Sequence, residues 1–206
     1  MRELFVIALV SSACSATPTG SPAPPSSVRE RLARPTRFLV APTASTGSIT
    51  VGHYSAAAWQ MSRVTLPIES GEIIASADLS GAIVVTGFGL GLSPLALPIH
   101  DDTQLSHVRL DLSTPAPATT TWQSEDAASA TASLALALSW SLTVQGTTSP
   151  LGDQAFPAVP IALALEGDGA EVGATLTVAA IGKLWRWADL VELDDLSLTL
   201  VAATTD

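Results

Sequence analysis

The chain has 206 residues, of which 47% are apolar and only 14% charged, enough for a folded domain with a sizeable core. Its formal charge of −10 argues against nucleic-acid binding, which needs basic surface to displace counterions. The single cysteine, Cys14, excludes an intrachain disulfide or a cysteine-built zinc site, and the absence of asparagine excludes an N-glycosylation acceptor.

The charge is uneven along the chain. The first 63 residues carry six arginines against two glutamates, and the remainder carries Arg109, Lys183 and Arg186 against 17 acids. At the N-terminus, "LFVIALV" (residues 4–10) is too short to span a bilayer, which takes about 20 residues, but long enough for the apolar part of a secretory signal. Arg2 precedes it, and Ser11, Ser12 and Ala13 lead to Cys14. This stretch resembles the leader of a bacterial lipoprotein precursor, with a lipobox ending in a small residue and a cysteine. The resemblance implies a signal peptide over 1–13, a lipidated (palmitate-bearing) Cys14, and an exported protein held at a membrane of the bacterial cell envelope. Ordinary cleavage after Ala13, releasing a soluble protein, is the alternative.

Residues 14–37 read as a tether. "SATPTGSPAPPSS" has no apolar periodicity and cannot bury enough surface to offset the entropy of ordering it. Fully extended, the path from Cys14 to Phe38 reaches about 80 Å. The basic stretch "VRERLARPTRF" reads as a solvated tail, with weak attraction to anionic headgroups as its functional alternative.

From residue 38 onward, period-two alternation predicts strands, within one all-β domain over 38–206. Candidates in chain order are "SITV", "AAAWQMSRVTL", "GEIIASADL", "AIVVTGFGLGL" and "LSHVRLDL". Residues 113–129, rich in Pro, Thr and Ser, read as the longest internal loop. In "TASLALALSWSLTV", Leu134, Leu136, Leu138, Trp140, Leu142 and Val144 share one face of a strand, with Ala, Ser and Thr on the other. "VPIALALEGDGAEVGATLTVAA" predicts a hairpin turning at Glu166–Gly169, and "DLSLTLVA" a last strand. "GKLWRWADLVELDDL" fits either a strand or a short helix. The expected fold is an antiparallel sandwich or barrel of roughly nine strands. An outer-membrane barrel is disfavoured by 5% aromatics and a polar C-terminus.

Few residues suggest chemistry. "GFGLG" (87–91) lacks the helix that a dinucleotide loop leads into, since Pro94 and Pro98 interrupt the residues after it. His100, Asp101, Asp102 and His107 form the best polar cluster and are candidate metal ligands, with a turn and a polar strand face as the plainer reading. In that strand His107, Arg109 and Asp111 share the polar side. Trp185 and Trp187 read as packing residues or as a platform for stacking a ligand. No nucleophile-elbow motif accompanies the serines, and the adjacent acid pairs Glu125-Asp126 and Asp194-Asp195 would face opposite ways along a strand. No catalytic residue and no cofactor is expected.

Two functions compete on these grounds. One is a lipid-anchored, non-enzymatic β-domain with a binding or structural role, partnered by the membrane and an envelope protein. The other rests on "WSLTVQGTTSPLG" and "VELDDLSLTLVA": residues 139–202 resemble the later strands of YceI-like proteins. That resemblance implies a lipocalin-like barrel carrying an apolar small molecule. An envelope hydrolase ranks third.

Overall fold

The computed structural model describes residues 27–55, 58–97, 103–167, 172–186 and 189–204. One short helix, α1 (Val28–Leu32), precedes thirteen strand segments. These are β1 (Thr36–Val40), β2 (Thr46–Ser55), β3 (Ala58–Thr65), β4 (Ile68–Ala77), β5 (Ile83–Leu92), β6 (Leu95–Ala96), β7 (Thr103–Thr114), β8 (Ala116–Pro117), β9 (Thr119–Ser124), β10 (Ala127–Val144), β11 (Thr147–Gly167), β12 (Val172–Arg186) and β13 (Asp189–Thr204). All the pairings are antiparallel and belong to one sheet.

Several segments are pieces of one strand interrupted by a kink. β1 and β2 both run along β13, through Val40↔Ala202 and then Thr46↔Thr199, bridged by Ala41 N–H donating to Val201 O at 2.7 Å. Pairing β3–β4, β5–β6 and β7–β8–β9 in the same way leaves eight long staves in up-and-down order. The expected all-β antiparallel fold of about nine strands is what the chain adopts.

The alternation that predicts strands also sorts the two faces. Leu134, Leu136, Leu138, Trp140 and Leu142 of β10 are buried, as are Val159, Ile161, Leu163 and Leu165 of β11, while Ser129, Thr131 and Ser133 are exposed. Apolar side chains therefore fill the inside and small polar ones coat the outside, the reverse of a barrel built to face lipid. "GFGLG" lies within β5, with Phe88 and Leu90 buried inside. Its glycines make a smooth outer lane: a Cβ on Gly87 would strike Ile74, and one on Gly91 would strike Ser70.

The ring is closed only in the half next to α1. There, pairing runs unbroken from β1 through β4, β5, β8–β9, β10, β11, β12 and β13 and back to β1. In the other half, among the described residues, no pairing joins β3 to β6, and none joins residues 147–160 of β11 to 179–186 of β12. The first seam starts where Pro67 and Pro94 interrupt their staves. The second starts at Pro160, directly before the Ile161↔Val178 pair. Proline has no N–H to give a ladder, so a strand that carries it can pair fully on only one side. The molecule is thus a barrel at one end and two facing sheets at the other. β12–β13–β2–β3 form one sheet and β6–β7–β10–β11 the other. The sequence could not choose between sandwich and barrel, and the fold contains features of both.

Two expectations change. Residues 113–129 are not a long loop but strand: β8 pairs with β5, and β9 pairs with β10 through a two-residue turn at Glu125-Asp126. Thr and Ala alternation carries the strand where prolines suggested a loop, because Pro115 and Pro117 fall in a segment only two residues long. "GKLWRWADLVELDDL" resolves as strand too, with β12 and β13 paired from Trp185↔Leu190 inward.

The turns obey local chemistry. Gln145 and Gly146 both take positive φ (50° and 75°), as the two-residue turn between β10 and β11 requires. Between β4 and β5, Asp78 Oδ1 accepts from Ser80 N–H (2.8 Å), Ser80 Oγ–H (2.6 Å) and Ala82 N–H (3.0 Å), with Gly81 at φ 83°. The Ser80 hydroxyl foremost, then the Ala82 and Ser80 backbone donors, hold the Asp78 carboxyl below its usual range. A depressed folded-state pKa contributes stability that is present above the unfolded carboxylate value and is lost as pH falls through the folded one. We expect Asp78→Ala to lower the melting temperature modestly at neutral pH. In acid below the carboxylate range, the difference from the parent should shrink. A difference that grows on acidification would refute this account.

Candidate functional site

The apolar interior and its two ends are where a function can reside. At the closed end, α1 acts as a plug. Ser27 caps it, its Oγ accepting from Glu30 N–H at 3.2 Å, and Val28 and Leu32 are fully buried against the barrel core. With spacing i, i+4 they share one helix face. The plug is tied down by polar contacts. Val28 N–H donates to Asp126 Oδ1 (3.4 Å) and Arg29 N–H to Glu125 O (3.0 Å), while Arg29 Nη1 pairs with Glu125 Oε1 (2.9 Å). The Arg29 guanidinium lies 5.2 Å from the Trp122 ring centre, and Trp122 Nε1 donates to Gly81 O at 2.8 Å. Arg31 is buried and donates to Thr204 Oγ1 at 3.3 Å.

These contacts revise the reading of residues 28–37 as part of a solvated tether. Three of the arginines in "VRERLARPTRF" make intramolecular contacts, Arg37 with Glu72 of β4 being the third. Two apolar residues in a charged pentapeptide are too sparse a pattern to signal burial. Only the open end of a barrel makes a place for them.

Inside the barrel, a cavity of about 20 Å³ is lined by Ile49, Leu66, Leu92, Leu95, Leu105 and Trp140 among others, with Ser93 the one polar residue. Its lining comes from both facing sheets, and Leu66 and Ser93 sit where the β3–β6 seam begins. The space is that of a single water-sized group, and its apolar walls would keep it dry. Elsewhere among the described residues the interior is filled by the chain's own side chains.

The residues singled out from the sequence fare unequally. His107 is exposed at a bulge of β7, where residues 106–109 oppose 139–141 of β10, and it adopts φ 52°. As expected it shares the outer side with Arg109 and Asp111. Those two form an ion pair at 2.7 Å whose hydrogen bond and charge push the Arg109 guanidinium further up. His100, Asp101 and Asp102 lie outside the described residues, so their convergence with His107 on a metal remains a proposal. Among the described residues, no three His, Cys, Asp or Glu side chains group closely enough to hold a metal ion. Trp185 lies in β12 opposite Leu190, beside the turn into β13, while Trp187 and Cys14 lie outside the described residues. The strands flanking 56–57, 98–102 and 187–188 all end at the split end, away from α1.

Sequence reasoning missed the Arg29–Trp122–Gly81 cluster and the seam residues Leu66 and Ser93. A usable signal existed for the seams: each begins at a proline inside an otherwise alternating run. No family model, curated protein or solved structure matches the chain. Among the described residues, no helix is long and apolar enough to cross a membrane.

Proposed function

We propose that this chain is an exported, lipid-anchored β-module of the bacterial envelope with a non-enzymatic binding or structural role. The observation that carries this reading is the filled interior: a barrel packed by its own leucines, with a residual cavity of about 20 Å³, is a scaffold rather than a container. The position of α1 adds a direction. The chain enters at Ser27 beside the closed end, and the 13 residues back to Cys14 reach about 45 Å when extended. An acylated Cys14 would hold the closed end toward the membrane and turn the split end outward. Two or more acyl chains suffice for stable anchoring at about 0.8 kcal/mol per buried methylene.

The test is the mass of the mature N-terminus after expression in a bacterium. An acylated Cys14 is expected, and Cys14→Ser should move the protein from the membrane fraction to the soluble one. A wild-type chain that keeps an unmodified Met1 would overturn export and anchoring together.

The second reading, an apolar-ligand carrier similar to YceI-like proteins, is favoured by one observation: the cavity's apolar lining lies beside the β3–β6 seam. Native mass spectrometry separates the two. A stoichiometric apolar molecule released on denaturation supports the carrier, and a ligand-free protein supports the scaffold.

A further inference from the structure

Each seam leaves strand edges without partners, and natural proteins blunt such edges with proline, lysine or brevity. Three of the four edges here are blunted. Residues 147–160 of β11 contain Pro150, Pro157 and Pro160, the unpaired part of β12 contains Lys183, and β6 is two residues long. β3 is different: its eight residues, "AWQMSRVT", contain no proline and no lysine. Among the described residues it pairs only with β2.

The orientation of its backbone groups is set by the ladder. Leu66 N–H donates to Gly47 O at 2.8 Å, so in the alternation of an antiparallel pair Val64, Ser62 and Gln60 also turn toward β2. Trp59, Met61, Arg63 and Thr65 therefore turn their N–H and C=O groups to the open edge. The side chains of these same four residues stand on the outer face. Met61 is 49% exposed. A Cβ on Gly52 would strike both the Trp59 ring and Met61 Sδ, so Trp59 and Met61 cover that glycine, with Trp59 Nε1 donating to Met61 Sδ at 3.2 Å.

The geometry points to a second copy of this chain as the occupant of the edge, through an antiparallel β3–β3 pair centred on Met61. With Met61 opposite its counterpart, Trp59 faces Arg63 of the other copy, twice by symmetry. That places a guanidinium beside an aromatic ring on the same outer face. The register centred on Arg63 instead sets two like charges opposite each other, which is unfavourable. Arg63 donates to Ser48 Oγ from Nε (3.0 Å) and Nη2 (2.6 Å), which holds its side chain on this face beside the edge. The pairing would join two sheets edge to edge and leave the α1 ends of both copies untouched.

Sedimentation equilibrium of the full chain carrying Cys14→Ser, across a concentration series, tests this. A monomer–dimer equilibrium is expected. Met61→Pro removes only an edge donor and should raise the dissociation constant at least about tenfold, since two central hydrogen bonds are lost per dimer. Arg63→Glu should act in the same direction, and Arg63→Lys should restore association. In the Cys14→Ser background Met61→Cys is the only cysteine. Opposed residues in a hydrogen-bonded pair have Cα atoms about 5.5 Å apart, within disulfide range, so this variant should cross-link on oxidation whereas Thr65→Cys should not. A monomer at every concentration would overturn the proposal. A dimer indifferent to Met61→Pro and Arg63→Glu, or cross-linking at position 65 rather than 61, would do the same.

Discussion

Phe38→Ala is expected to cost about 3–5 kcal/mol of folding stability, the range for emptying a buried phenylalanine site. Phe38 is fully buried and is the largest such side chain among the described residues. It also sits where the ring closes: on β1 it pairs with Ile73 of β4 on one side and Thr204 of β13 on the other. Neighbours in a closed ring are held by ladders on both flanks and cannot easily collapse into the space, so most of the cavity cost should persist. Since a domain of this size has only about 5–15 kcal/mol to lose, the variant should melt far below the parent or fail to accumulate. Equilibrium denaturation in urea measures it. A loss below about 1 kcal/mol would mean that the ring does not close tightly at β1.

Leu32→Ala should cost about 2–5 kcal/mol, and its larger consequence is the opening of the closed end. α1 is five residues long, far too short to persist in water by itself, so its structure depends on docking. Leu32 and Val28 supply all of its buried apolar contact, since Arg29 and Glu30 are exposed. The ion pair of Arg29 with Glu125 is largely solvated, with side chains 46% and 65% exposed, and contributes little alone. Once Leu32 is truncated, the remaining hydrogen bonds to Asp126 and Glu125 should not hold the plug. Amide exchange at residues 28–33 should then approach the unprotected rate, and an apolar fluorescent dye should bind at the exposed barrel end. Continued protection of these amides would show that the polar ties alone keep α1 in place.

How legible is this molecule in its sequence? The alternation in β10 and β11 can be read directly, because one face is uniformly Leu, Ile, Val and Trp and the other Ala, Ser and Thr. A period of two has no helical counterpart there. Residues 113–129 read as a loop because proline and threonine weigh as loop formers. Edge and kink positions tolerate proline, and only the neighbouring β5 and β10 reveal that the segment occupies such positions. α1 escapes notice for the opposite reason: its charges suggest solvent, and the barrel end that buries Val28 and Leu32 is assembled from strands far away in sequence. The candidate metal cluster and the tryptophan pair are visible as residue types, but convergence is a property of space, and of His100, Asp101, Asp102 and Trp187 none lies in the described residues.

The sequence by itself determined that the body is antiparallel β, which faces of its strands are apolar, that no disulfide can staple it, and that a leader-like run ends at Cys14. Those are local properties, set by side-chain alternation, composition and spacing. Only the tertiary structure decided that the strands close into a ring at one end and part into two sheets at the other. Only there does α1 become a plug and β3 an unblunted edge. Closure and parting depend on which strand meets which across long stretches of chain, through ladders such as Val40 with Ala202. A proline inside a strand states only that one side cannot pair fully. Which side, and what is left exposed beside it, is settled by the neighbours the fold supplies.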